Sequence, residues 1–407
     1  MLGSIKNLLN LYPSELFYLF LPIISAAYLF FFRRNMIDKV LVKNILIKIG
    51  TYFVLVVFIN IYLSYIMQGR VIFKEVIAYL YFFSSVSIML FLMRSSFKKI
   101  ANGMSKKIID LKIKKLVYFI TVTVLWTCML FPYMLATFSI HRPKIGDKYD
   151  PQTLYMLEQE KVSLRTQDGL VLKGWFIPNK NSNKAVVIGH GLGANKSNFL
   201  SLVELWHSLN YNVLIFDFRG HGESGGHTIS FGYKEKYDIR AAFDYLNKEK
   251  KFLAENIVGY GVSFGGAALI QAVSDGACFD KIITDSSFAS IDIMADKFVE
   301  RMVFVPVFLR ERIKVLGLAF VNLELGFNVD NSSPLRISDK IKIPWLIIHG
   351  KKDVLIPSQE ALSLYGNGSA NKQLYLVDSG EHYTTIDDAQ YIYKIREFLN
   401  NNDKKDL

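Results

Sequence analysis

Cysteine is nearly absent. Two of the 407 residues are cysteine, Cys128 and Cys278, and they stand far apart. They cannot build a disulfide framework, and no Cys/His spacing suits a metal, so neither metal nor cofactor is expected. Negative charge is scarce in one region only. Residues 1–139 hold 16 Lys/Arg and 4 Asp/Glu, whereas residues 140–407 hold 32 of each. The whole net charge of +12 therefore sits in the first third. A nucleic-acid binder would carry a basic face on its folded domain. Here that domain is neutral, and nucleic acid is not an expected partner. Internal repeats and low-complexity linkers are lacking too. Only residues 400–407 read as a solvated tail.

Charge is missing altogether from four apolar runs, residues 16–32, 49–67, 76–93 and 116–138, each 17 to 23 residues long. A helix rising ~1.5 Å per residue needs about 20 residues to cross a ~30 Å hydrocarbon core. A core helix of that length keeps a polar face toward water, and none of these runs has one. The first is the shortest and contains Pro22. Read as a signal peptide, it would still leave three spans behind it. The connection after the third run carries Arg94, Lys98, Lys99, Lys106, Lys107, Lys112, Lys114 and Lys115, while that after the second carries only Arg70 and Lys74. Lys/Arg-rich loops stay cytoplasmic. The chain is thus expected in the cell membrane as a multi-pass protein, with residues 1–140 as the membrane region and lipid as a partner. Residues 141–407 would form a domain on the extracytoplasmic side.

That domain alternates short apolar runs with longer amphipathic ones. Strands are expected at 161–165, 170–177, 185–190, 212–218, 257–262, 281–284, 345–349 and 373–377. Helices are expected at 196–209, 234–248, 264–273, 358–365 and 387–400. Such alternation predicts an α/β fold, with a mostly parallel eight-stranded sheet and helices on both faces.

Within it, residues 259–266 read GYGVSFGG. A Gly-x-Ser-x-Gly pattern alone is weak, since about one chain of this length in ten contains it by composition. Its context strengthens it. IVGYGV reads as a buried strand and FGGAALIQAV as a helix, which places Ser263 on the turn between them. Such a turn strains the backbone, and side chains at Gly261 or Gly265 would collide across it. A serine also needs a base. His141 lies too close to the fourth run, His207 is mid-helix, and His349 ends a strand. His382, in the loop DSGEHYTT after the last strand, is the expected base. The orienting acid is expected to be Asp353, in HGKKDVLIP after another strand, with Asp285 in KIITDSSFAS as the rival. Acyl transfer also needs two donors for an oxyanion. The amide of Phe264 is one candidate. The amide of Leu192 is the other, in a loop loosened by Gly191 and Gly193, although HGLG also reads as a simple tight turn.

Taken in order, GHGLGANKSNF, DFRGHGESGG, GYGVSFGG, HGKKDVLIP and GEHY resemble the α/β-hydrolase superfamily, and within it the lysophospholipase and serine aminopeptidase-like hydrolases. The resemblance covers about 250 residues. It implies Ser263 as nucleophile, Asp353 as acid and His382 as base, in the chain order of that superfamily. It makes Asp217, Arg219 and Gly222 parts of a structural turn and His221 structural. It does not account for the four spans. Residues 289–335 interrupt the alternation and are expected as a helical lid. Met302, Val303, Phe304, Val305, Val307, Phe308 and Leu309 would line an acyl pocket, pack on the domain, or meet the membrane beside Arg310, Arg312 and Lys314. The expected function is a membrane-anchored serine hydrolase acting on an ester, thioester or amide of an apolar acyl group. The alternatives are an acyltransferase, or a non-catalytic receptor on the same fold.

Overall fold

Among the described residues, 131–302, 305, 307–368 and 371–400 of this computed structural model, eight strands form one sheet. They are β1 (Glu160–Arg165), β2 (Val171–Ile177), β3 (Ala185–Gly189), β4 (Asn212–Phe216), β5 (Ile257–Val262), β6 (Lys281–Asp285), β7 (Trp345–Gly350) and β8 (Lys372–Val377). Their order is β1-β2-β4-β3-β5-β6-β7-β8, with β1–β2 and β2–β4 antiparallel. The other pairs are parallel. Apolar content decides position. From β3 to β7 every residue is buried, which suits strands covered on both faces. At the edge, β1 alternates, burying only Val162 and Leu164.

The main helices are α1 (Pro151–Tyr155), α2 (Leu200–Ser208), α3 (Lys236–Asp244), α4 (Phe264–Ser274), α5 (Ile291–Glu300), α6 (Val307–Leu325), α7 (Gln359–Gly366) and α8 (Tyr391–Asn400). Strand side chains alternate between the two faces. Val187, Leu214, Phe216, Ile282 and Ile347 pack toward α3, α4 and α7. Val186, Ile188, Val213, Ile215 and Tyr260 pack toward α2 and α8. The strand order reverses around β3, which has β4 on one side and β5 on the other. At such a switch a crevice opens at the carboxyl ends of the strands.

Three expected helices begin or end elsewhere. That at 196–209 opens as a 3-10 turn, Lys196–Phe199, because Asn195 caps it and the Asn198 side chain returns to the Asn195 amide. That at 234–248 widens into a π turn at Tyr245–Glu249. That at 387–400 starts only at Tyr391, after a 3-10 turn at Thr385–Asp387.

The first three expected spans lie outside the described residues, as does most of the fourth. Among the described residues no helix is long and apolar enough to cross a membrane. Residues 131–140 are helical, and they belong to the same compact unit as the sheet. Ala136 and Ile140 are buried with Ala267, Phe288, Ile291, Val321 and Leu325. The end of the fourth apolar run thus covers protein.

The 289–335 insertion is helical, as expected, comprising α5, α6 and short turns. Its apolar residues do not all face inward. Val305 is buried, but Val307 and Phe308 are 76% and 75% exposed. Lys314 does not face lipid either, since Asp292, Asp296 and Glu311 surround it.

Arg219, in the turn after β4, pins that turn to α3. Its guanidinium donates to Asp238 at 2.6 Å and to Asp168 at 2.6 Å. The Asp238 side chain is fully buried. Removing one partner of a buried pair typically costs about 3–5 kcal/mol, because the other charge is left uncompensated. Arg219→Met should therefore lower the denaturant midpoint of the purified protein strongly. Adding Asp238→Asn to that variant should restore part of the loss.

Candidate active site

The turn between β5 and α4 carries Ser263 at φ 53°, ψ −114°, a region that a side-chain-bearing residue adopts only under strain. Two neighbours must lack side chains for it to form. A Cβ on Gly261 would lie 2.6 Å from the backbone of Gly265, and one on Gly265 would lie 2.3 Å from the carbonyl oxygen of Gly189. The second contact joins α4 to the end of β3. The glycine at 265 therefore serves the approach of another strand as well as the turn itself.

His382, Asp353 and Ser263 come together. His382 Nδ1 lies 2.6 Å from Asp353 Oδ2, and His382 Nε2 lies 3.0 Å from Ser263 Oγ. All three residues are buried, at 6–7% exposure. Asp353 Oδ1 accepts the amides of Leu355 and Ile356, both at 2.8 Å. Burial pushes the Asp353 carboxyl upward, but bonds from His349 and His382 outweigh it and hold its pKa well below the usual carboxylate range. An ionised Asp353 keeps the proton on Nδ1, so Nε2 is left to accept from the serine.

The rival acid is occupied elsewhere. Asp285 accepts from Tyr391 at 2.8 Å, Thr385 at 2.7 Å and Tyr260 at 3.2 Å, beneath the site. The remaining histidines have structural partners. His207 Nε2 lies 3.2 Å from the Pro178 carbonyl. His349 Nε2 lies 2.8 Å from the Ile356 carbonyl and 3.4 Å from Asp353. His141 bridges Glu324 of α6 and the His227 carbonyl.

Leu192 and Phe264 lie on neighbouring elements, one in the loop after β3 and one at the first position of α4. A helix leaves its first amides without internal acceptors, and Phe264 is the first of them. The loop bearing Gly191 and Leu192 is held in two ways. His190 Nε2 accepts the Phe218 amide at 3.0 Å, and His221 Nε2 accepts the Gly193 amide at 3.2 Å. The two imidazoles meet edge-on at 5.0 Å. Burial, then the neighbouring His190, push the His221 pKa down to about 3, so its ring is neutral and can accept.

Further along, Lys196 is fully buried yet charged. It contacts Asp147 at 2.6 Å, Asp217 at 2.8 Å and Glu223 at 3.0 Å, and lies 4.7 Å from the Trp175 ring centre. Burial works against its charge, but the carboxylates prevail and its pKa is raised. The segment before α1 completes the clamp. The Asn195 side chain donates to the carbonyls of Ile145 and Gly146, and Lys148 N donates to Ser197 Oγ. Sequence reasoning missed His190, Lys196 and this strap. A lysine and a histidine flanking the glycines of GHGLGANKSNF were the available signal. An open cleft of about 630 Å³ lies elsewhere, lined by Leu318, Asn322, Asp330 and Arg336 among others, and includes none of the triad.

The chain is similar to several known proteins. The family described as serine aminopeptidase, S33 matches residues 180–339. YqkD of Bacillus subtilis, described as uncharacterized, is 31% identical over 259 residues, covering 61% of this chain and 82% of that protein. A Saccharomyces cerevisiae protein described as an uncharacterized membrane protein is 30% identical over 247 residues, covering 59% of this chain and 79% of its own. Among solved structures, an esterase of Pyrococcus furiosus superposes with a TM-score of 0.55 at 25% identity, over 65% of this chain and 98% of that one.

The neutral state of His221 makes stability depend on pH. In the unfolded chain its pKa returns to about 6.5. Between about 6.5 and the folded value of about 3, the unfolded chain binds a proton that the folded one does not. Stability is therefore full above pH 6.5 and falls as the solution is acidified. His221→Gln removes this titration. The melting temperature should drop less between pH 7 and 4.5 in that variant than in the wild type, by a difference on the order of 2 kcal/mol in stability.

Proposed function

This chain belongs to the α/β-hydrolase superfamily, and we propose that it is a membrane-anchored serine hydrolase cleaving a carboxylic ester, thioester or amide of an apolar acyl group. The observation that carries the reading is the hydrogen-bonded line from Ser263 Oγ through His382 to Asp353. In the acylation step the Ser263 oxygen attacks the carbonyl carbon while His382 Nε2 takes its proton. The carbonyl electron pair moves onto oxygen, where the amides of Leu192 and Phe264 receive the charge. The carbon–leaving-group bond then breaks, and the proton on His382 passes to the departing alcohol, thiol or amine. Water repeats the sequence on the acyl-enzyme. Asp353 stays ionised throughout, orients the ring and stabilises the imidazolium. The esterase activity stated for the Pyrococcus furiosus structure supports the ester as the first substrate to try.

Anchoring rests on the charge-free runs before residue 131 and on the Lys/Arg-rich connection of residues 94–115. That arrangement directs the hydrolase unit outward.

A membrane-impermeant, serine-directed fluorophosphonate applied to intact cells tests both parts. The wild type should be labelled, Ser263→Ala should not, and ester hydrolysis by the variant should fall by more than about 1,000-fold. Labelling that appears only after permeabilisation would reverse the orientation. An unlabelled wild type in permeabilised cells would exclude the serine-hydrolase reading and leave a receptor on the same fold.

A further inference from the structure

We propose that Tyr383, the residue directly after the base, is a third donor to the oxyanion formed at Ser263. This rests on the serine-hydrolase reading above and adds one side chain to its two backbone amides.

The position of the phenol carries the argument. The Tyr383 ring meets His382 edge-on, with centres 4.3 Å apart, and faces Phe199 at 6.5 Å. These contacts direct the hydroxyl over the loop after β3. A Cβ placed on Gly191 would lie 3.1 Å from the Tyr383 hydroxyl oxygen and 3.4 Å from its ring. Gly191 therefore makes room for a phenol, besides whatever freedom it lends the loop. The phenolic oxygen thus stands at the residue preceding Leu192, on a ring packed against the base that bonds Ser263.

An acyl carbon bonded to Ser263 Oγ must enter that space, with its oxygen turned toward the amides of Leu192 and Phe264. The phenol meets it there and donates a hydrogen bond as charge builds on the oxygen. The proton remains on Tyr383, and no bond to the phenol forms or breaks. Tyr383 is 50% exposed, so one side of the ring stays open to an arriving substrate. Burial of the hydroxyl, then the nearby charge of Asp353, raise its pKa above the ordinary tyrosine value, against an opposing influence from Arg142. At neutral pH the group is a donor and never a base. A donor aimed at developing charge acts mainly in the transition state, so its loss should appear in kcat rather than in KM.

Tyr383→Phe keeps the ring and its contacts with His382 and Phe199 and removes only the donor. With the full-length protein in detergent and a short-chain fluorogenic ester, this variant should lose about 10–100-fold in kcat with KM within about twofold. Its Ser263 should still titrate stoichiometrically with fluorophosphonate. Tyr383→Ala should lose at least as much. A Tyr383→Phe variant with kcat within about twofold of wild type, set beside an impaired Tyr383→Ala, reduces the residue to packing and overturns the proposal. So does a rise in KM with kcat unchanged, which marks a ground-state contact. If Ser263 of the wild type does not titrate at all, the hydrolase reading fails first and takes this one with it.

Discussion

The site depends on one close approach, that of the first turn of α4 to the end of β3. A side chain at Gly265 would place its Cβ 2.3 Å from the Gly189 oxygen, so only glycine permits the two backbones to meet. Their meeting sets the amide that follows the nucleophile beside the loop that follows β3. Without it, the Phe264 amide and the Leu192 loop would stand apart. The turn costs strain, of order 1–3 kcal/mol for a residue held as Ser263 is. Burial outweighs that cost. Phe264, Leu269 and Ile270 of α4 are at most 1% exposed, and each such side chain contributes about 1.5–3 kcal/mol on burial. The helix is anchored by its buried face, and the strain persists at its start because nothing there can relax without unpacking it.

Much of this arrangement was legible in the sequence. Apolar runs without alternation marked strands covered on both faces, and β5 matches its expected bounds at Ile257–Val262. The order of Ser263, Asp353 and His382 was readable because each lies just past a strand, and strands of a parallel sheet deliver their ends to one edge. The loop of Asp353 is the better placed to meet that of His382, but Asp285 also follows an expected strand. Its neighbours Tyr260 and Tyr391 are 131 positions apart in the chain, and their convergence on one carboxylate leaves no local pattern. The lid was legible as an interruption, but the direction of its side chains was not. Val307 and Phe308 read equally as pocket lining, domain packing or membrane contact, and they are exposed because α6 turns other residues, Val321 and Leu325, toward the domain. The ends of three helices were misplaced because capping by Asn195 and widening at Tyr245–Glu249 act within a single turn.

Residue 140 marks a change of composition within the chain. Composition changes there because the apolar run ends and balanced charge begins. Mechanically, the segment on either side belongs to the hydrolase unit. Ahead of it, Ala136 and Ile140 are buried beneath α5 and α6. Behind it, His141 holds Glu324 of α6, and Asp147 holds Lys196 of the loop after β3. Lys144 reaches the Ser224 carbonyl, in the turn that Asp217 organises. A charged lysine buried as Lys196 is would destabilise the fold if it lost its carboxylates, so Asp147 is a structural requirement of the loop rather than a surface ornament. The residues that leave the apolar region therefore act as a brace on α6 and on the loop after β3 together. A hydrolase unit cut away at residue 150 would lose that brace, even though its strands, the two clusters on the faces of its sheet and its three catalytic candidates would all remain.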